Sequence, residues 1–218
     1  MRHYSRRLLL SALLLGACGK KRVKIASLPP LSTEAGQVIQ RGLASWYGHP
    51  YHGRRTASGE IYDMEAMVAA HRTLPFQTWV RVRNLANNKT TDVRITDRGP
   101  FVGSRIIDLS HAAAQRIDLI GPGVAEVELR VISAPAPVAS GVFGVQVGAF
   151  QDHSNASRNL ETMRRAYGSA VIVERPGEPV LYRVLAGSEP SPEAAEILAR
   201  RVRTEQKLPQ AFVVRLDP

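Results

Sequence analysis

Cysteine is nearly absent: Cys18 is the only one in 218 residues. No disulfide can form within the chain, and a cysteine-rich zinc site is excluded. Long apolar runs are also scarce. Beyond Leu8 to Leu15 no segment is apolar enough to cross a membrane as a helix. No Gly-Xaa-Ser-Xaa-Gly elbow and no phosphate-binding glycine loop occurs. Acids are few, 19 against 29 Lys and Arg, which gives a net charge of +10 at pH 7. That excess would suit nucleic acid, but its placement argues against it. Residues 1–41 carry eight cations and one acid. Residues 42–133 carry eleven against nine, and residues 141–218 ten against nine. The parts able to fold are nearly balanced, so a nucleic-acid partner is not expected. Hydrophobic residues at 44% and charged residues at 22% exclude a wholly disordered or fibrous chain.

The basic start and the short apolar run have the form of an export signal. Arg2, Arg6 and Arg7 precede Leu8 to Leu15, a stretch too short for a permanent span. Leu15-Gly16-Ala17-Cys18 then resembles the bacterial lipobox, in which the cysteine is acylated and becomes the mature N-terminus. The bland alternative is an ordinary signal with a chance cysteine. The lipobox implies a signal peptide over 1–17 and a membrane anchor through lipid on Cys18, since two or more acyl chains attach stably. Lys20 stands where an inner-membrane lipoprotein usually has Asp. The expected address is therefore the outer membrane, with the globular part in the periplasm.

Two low-complexity stretches divide the rest. Residues 18–40 contain Lys20-Lys21-Arg22 and Pro29-Pro30 and read as a tether. Residues 134–141, Ala-Pro-Ala-Pro-Val-Ala-Ser-Gly, read as an extended, semi-rigid Pro/Ala linker. Two domains follow, 41–133 and 142–218, with no tandem repeat.

The first domain reads mainly as strands. Leu43 to Tyr47 is one candidate. Trp79 to Arg83 and Thr91 to Ile95 alternate with period two around an Asn87-Asn88 turn, the pattern of a hairpin. Asp108 to Leu119 reads as a helix that Ser110 can cap and Gly121-Pro122 stops. Val124 to Ile132 alternates again. Many short strands with one short helix suggest a small β-barrel. The second domain has a βαβ-βαβ rhythm: strands at Val142–Phe150, Ala170–Glu174, Val180–Leu185 and Ala211–Val214, with helices at Asn155–Tyr167 and from Ser191 onward. This order predicts a four-stranded antiparallel sheet with two helices on one face.

The densest signal runs from Gly42 to Ser110. Its segments are Gly42 to Gly48, Gly53 to Glu60, Ala69 to Pro75, Asp97 to Phe101 and Arg105 to Ser110. Together they closely resemble the rare lipoprotein A family of septal-ring lytic transglycosylases. The resemblance implies a six-stranded double-psi β-barrel, and hence a mainly β fold class for the whole chain. Val145-Gln146-Val147-Gly148-Ala149-Phe150 and Tyr182-Arg183-Val184 make the second domain resemble the SPOR (sporulation-related repeat) module. That module binds glycan strands lacking stem peptides at the division septum, which implies a role for Gln146, Phe150 and Arg183 in holding glycan.

The chemistry can be weighed beside the resemblance. Cleaving a β-1,4 glycosidic bond requires a proton for the leaving oxygen and support for an oxocarbenium-like transition state. A lytic transglycosylase uses the 6-hydroxyl of the same N-acetylmuramic acid as its nucleophile, so one acid/base can serve both steps. Asp97 is the first candidate, at a strand end before Gly99-Pro100. Its structural alternative is a turn held by an Asp97–Arg98 pair. The resemblance also implies that Glu60 and His71 share the groove with Asp97. Read alone, they are a surface Glu and a satisfied core His. Arg98, Asp108, Tyr47 and Trp46 are supporting candidates. Asp108 has a rival role at the helix start, and Trp46, Tyr47 and Tyr51 have one as core filler. Three residues depart from the family pattern: Gln77 for Gly, Thr96 for Asn and Asn88 for Gly.

The function expected from this reading is cleavage of peptidoglycan strands lacking stem peptides to 1,6-anhydro ends, in wall remodelling and cell division. The protein is expected to act as a monomer without cofactor or metal, anchored by Cys18 and enriched at the septum. The alternative is a non-catalytic, expansin-like wall-binding lipoprotein. Retention of Asp97, Glu60 and His71 together favours the enzyme.

Overall fold

The computed structural model describes residues 36–175 and 179–217. The segments read as export signal and tether, Cys18 included, lie outside the described residues up to residue 35. Six strands form the first unit: β1 (Val38–Tyr47), β2 (Val68–His71), β3 (Trp79–Asn84), β4 (Thr90–Asp97), β5 (Arg105–Ser110) and β6 (Val124–Ser133). They close into a barrel in the order β1-β5-β2-β4-β3-β6. β1 with β5 and β2 with β4 run parallel, and the remaining pairs are antiparallel. Closure leaves no open edge.

The hairpin of β3 and β4 shows why alternation was a sound signal. Val80, Val82, Val93 and Ile95 are fully buried, while Trp79 and Arg81 face solvent. Asn88 takes φ 61° in the connecting turn, a left-handed conformation that Asn tolerates.

Two expectations for this unit need correction. The barrel begins inside the segment read as tether. Gly36 N donates to Val131 O at 2.8 Å, and Ile39 is buried on β1. The second correction concerns Asp108, which lies in β5 rather than at a helix start. Ile106, Ile107 and Leu109 are drawn into the core, and that burial overrides local helix preference. The helix is only α1 (His111–Arg116), and Ser110 caps it by accepting from Ala113 N at 3.3 Å.

The second unit is a sheet of four antiparallel strands: β7 (Phe143–Phe150), β8 (Ala170–Arg175), β9 (Leu181–Glu189) and β10 (Phe212–Arg215), in the order β10-β7-β9-β8. Helix α2 (His153–Tyr167) is capped by Asp152, and α3 (Pro192–Glu205) by Ser191 with Pro192 at its first position. Met163, Leu198 and Val202 pack with Val145, Val184 and Val213 in one core. Each such side chain contributes about 1.5–3 kcal/mol on burial. A Cβ at Gly187 would collide with Leu198, so a glycine lets α3 approach β9.

The linker is not an extended spacer. Val138 is buried in the barrel core, and the chain turns at 137–140 with Ser140 N donating to Pro137 O. The buried guanidinium of Arg215 explains this fold-back. It donates to the carbonyls of Val138 and Ser140 in the linker, and to Thr73 O in the barrel. Phe212 continues the contact, with its ring 5.9 Å from that of Phe101 and a 4.9 Å approach from Arg72. The open face of the second sheet therefore lies against the barrel.

Candidate active site

Asp97 ends β4, where Gly99 takes φ 148° and the chain turns away. Its Oδ1 accepts from Ala57 N at 2.9 Å and from its neighbour Arg98 N at 2.8 Å. No side-chain cation pairs with it among the described residues. Burial pushes its pKa up, opposed by these two bonds and by the charges of Arg175 and Arg183. The carboxyl faces a cavity of about 430 Å³ lined by Tyr47, Tyr62 and Phe101 of the barrel and by Arg175, Leu181 and Arg183 of the second sheet, among others.

The loop before β2 is fastened to β4 at three points. Ala57 N reaches Asp97, Ser58 N donates to Thr96 O at 3.2 Å, and Glu60 pairs with Arg94. Arg94 donates to both Glu60 oxygens at 2.7 and 2.9 Å, and Gln77 Nε2 donates at 2.7 Å. These bonds hold the Glu60 pKa at about 2. Glu60 thus sits in its own ionic cluster and is not among the residues lining the cleft.

His71 is brought elsewhere. It is buried on β2, next to Ala70, and side chains alternate across a strand. Its Nδ1 accepts from Thr73 N and Leu74 N at 3.2 and 3.1 Å, which leaves Nε2 to donate to Gln40 Oε1 at 3.0 Å. Burial and the nearby Arg72 and Arg98 hold its pKa at about 3. This neutral, fully bonded ring is a scaffold group, not a cleft residue.

That burial makes a pH prediction. An unfolded chain takes up a proton at His71 near pH 6.5, whereas the folded chain resists it down to about 3. Stability should therefore fall as pH is lowered from about 6.5 toward 3, by up to about 1.4 kcal/mol per unit from this group. Urea midpoints across that window check it. His71→Asn should lower stability at pH 7 but flatten the slope. An unchanged slope would assign the acid sensitivity to other groups.

The remaining candidates divide. Tyr47 lines the cleft, stacks on Tyr62 at 4.3 Å and keeps its hydroxyl buried without a partner. Burial and the Asp97 charge push that hydroxyl's pKa up. Trp46 points the other way, packing on the barrel core and edge-on to His111 at 5.5 Å. Asp108 accepts from Ser45 Oγ at 2.5 Å and lies 3.4 Å from Arg105. Strand register sets Asp97 and Asp108 on either side of Ala70, on the two strands that flank β2. Arg98 does not pair with Asp97 through its side chain. Its guanidinium lies 3.6 Å from the Phe76 ring centroid and donates to Leu74 O.

In the second sheet, Gln146 and Arg183 border a further hollow of about 280 Å³ against Phe101 and Val102, and Arg183 borders the main cleft as well. Phe150 instead packs against the second core. No local motif in the sequence marks Arg175. Its place in the cleft depends on how the two units dock, which no local pattern encodes.

Comparison with known proteins matches this layout. Residues 39–129 match the lytic transglycolase family model, and residues 139–215 match the SPOR domain model. The chain carries a lytic transglycolase domain followed by a C-terminal SPOR domain. A protein of Campylobacter jejuni called endolytic peptidoglycan transglycosylase RlpA is 40% identical over 166 residues, covering 75% of this chain and 54% of its own length. Its namesake in Helicobacter pylori strain J99 is 37% identical, over 76% of this chain and 62% of its own. A Neisseria meningitidis protein of the same name is 50% identical over 108 residues, which is 49% of this chain and 45% of its own. The chain thus spans about half the length of the curated relatives it matches.

The three departures from the lytic transglycolase pattern are accommodated unequally. Gln77 takes φ 67°, a strained region for a residue with a Cβ, and binds the Glu60–Arg94 cluster through both ends of its amide. Asn88 fits its turn. Thr96, beside Asp97, leaves its hydroxyl buried without a partner.

Proposed function

We propose that this protein is a peptidoglycan lytic transglycosylase that cuts the β-1,4 bond between N-acetylmuramic acid and N-acetylglucosamine. Asp97 protonates the leaving oxygen, then accepts the proton of the 6-hydroxyl as that oxygen closes on the anomeric carbon. The product is a 1,6-anhydro end. The observation that carries this reading is a buried Asp97 carboxyl with a raised pKa that faces a cleft and has no side-chain cation on it among the described residues. A general acid needs those properties near neutral pH. A hydrolase would need a second carboxyl about 5–9.5 Å away. Asp108, the acid across Ala70 from Asp97, is engaged by Ser45 and is not among the residues lining the cleft. Glu60 acts by clipping the Ala57 loop to β4, and His71 by shaping the turn after β2.

The SPOR domain holds strands lacking stem peptides and brings the enzyme to the septum. Lipid on Cys18 ties it to the outer membrane, facing the periplasm. Mass spectrometry of products from purified denuded glycan tests the activity. Anhydro ends are expected. Reducing ends would make it a hydrolase, and no products would support the expansin-like wall-binding alternative.

A further inference from the structure

The main cleft is walled by both domains, and its second-domain wall carries two guanidiniums that have no hydrogen-bond or ion-pair partner among the described residues. Arg175 ends β8 and Arg183 sits on β9. The register pairs Val173 with Arg183 and Arg175 with Leu181, which puts both arginines on one sheet face. Their guanidinium carbons lie 5.5 and 5.3 Å from the Phe101 ring centroid of the barrel. Among the described residues neither side chain makes a hydrogen bond or ion pair. Arg183 Nε is buried without a partner, and so is the Tyr47 hydroxyl across the cleft. Buried polar groups are normally bonded, so a cluster of orphans around one cavity marks a place prepared for a polar ligand. The lining sets five arginines against Asp97 and Glu174, so that ligand is an anion.

We propose that Arg175 and Arg183 of the SPOR domain complete the active-site cleft as a subsite for the free lactyl carboxylate of muramic acid. The proposal rests on the lytic transglycosylase reading. Muramic acid carries a lactyl ether. When a stem peptide is attached, its carboxyl is an amide. When the peptide is gone, it is a carboxylate close to the sugar ring. No other charge lies near the scissile bond of such a strand. A guanidinium fork matches a carboxylate in geometry, and the bonds are charge-assisted. A strand with its peptide offers an amide instead and leaves both cations unpaired, which discriminates more strongly than a missing contact would. The second domain then does more than deliver the enzyme: it reads, at the point of cutting, whether the peptide has been removed.

The test uses the full chain. Denuded strands are compared with the same strands whose lactyl carboxyls have been converted to methylamides. Binding is measured by calorimetry and cutting by anhydro ends, for wild type, Arg175→Gln/Arg183→Gln and Phe101→Ala. Wild type should bind the carboxylate strands about tenfold to a hundredfold more tightly. The double variant should bind both strands alike, with KM raised far more than kcat is lowered. Phe101→Ala should also lose most of the preference, because the ring that seats both guanidiniums belongs to the barrel. Thermal melts identify any variant that has unfolded, and Arg183→Gln alone then takes the place of the double change.

Equal binding of both strands by wild type would overturn the proposal, as would a preference that survives the double change. A preference lost in the double variant but intact in Phe101→Ala would place the carboxylate on the SPOR domain alone. Faster cutting by the double variant would make this wall an obstruction rather than a subsite. Absence of anhydro ends from every strand would sink the lytic reading, while the binding preference would still decide the subsite.

Discussion

Replacing Asp97 with Asn is expected to cut the yield of anhydro ends by about 10²–10⁴ while leaving the protein folded. The amide oxygen can still accept from Ala57 N and Arg98 N, so the local geometry survives. What disappears is the transferable proton. The sign of the stability change helps to separate the roles. The folded pKa of Asp97 lies above its ordinary value because burial disfavours the charge. Ionised Asp97 therefore costs stability above the folded pKa, and that cost vanishes below the unfolded one. Asp97→Asn should match or exceed the wild-type urea midpoint at pH 7. The activity should fall at alkaline pH as the acid loses its proton, a limb that the variant lacks.

Glu60→Gln supplies the contrast. Glu60 stays ionised down to about pH 2 and cannot donate a proton near neutrality. Its loss loosens the loop that carries Ala57, and misplacement of this kind costs up to about 10² in rate. Stability should fall as well, because the folded pKa is depressed. The Glu60 contribution is present above pH 4.5 and is lost toward about 2, so the variant should show a shallower acid slope there. Near-normal turnover in a folded Asp97→Asn protein would end the acid/base assignment. A larger loss in Glu60→Gln than in Asp97→Asn would move that role to Glu60.

The hairpin, α2 and α3 were legible because each has a local signature: alternation about Val80 and Val93, and the Ser191-Pro192 start. β2 was not, since all four of its residues are buried and nothing alternates. β5 was read as a helix start because Asp108 suits one, and only the barrel core could draw Ile107 and Leu109 into a strand. Asp97 was found by its place at a strand end. Glu60 and His71 were found by resemblance, yet their partners Arg94, Gln77 and Gln40 are distant in sequence and decided their chemistry. The Pro/Ala linker departs from what its composition predicts for a similar reason. Composition sets the stiffness of a free chain, but Arg215, more than seventy residues onward, binds this one down.

Arg215→Ala is accordingly expected to uncouple the two domains. The side chain is 2% exposed and joins three parts of the chain. Nε donates to Thr73 O in the barrel at 2.9 Å, and Nη2 to Val138 O and Ser140 O in the linker at 2.9 and 2.8 Å. Nη1 pairs with Asp217 at 2.8 Å, and the guanidinium lies 4.7 Å from the Phe143 ring centroid. A side chain at Gly141 would collide with it, so a glycine stands there. Truncation leaves three carbonyls and a carboxylate without their cation, a loss of about 3–5 kcal/mol. Much of that energy holds the domains together rather than either core. Calorimetry should therefore resolve two transitions where wild type is expected to show one, and protease should cut within 134–141. Arg215→Lys should fall between, since one ammonium cannot span all four acceptors. Cutting of denuded glycan should weaken through KM, because the SPOR wall of the cleft swings free while Asp97 keeps its barrel bonds. A single wild-type-like transition with a protease-resistant linker would mean that Phe101, Phe212 and Val138 suffice to dock the domains without Arg215.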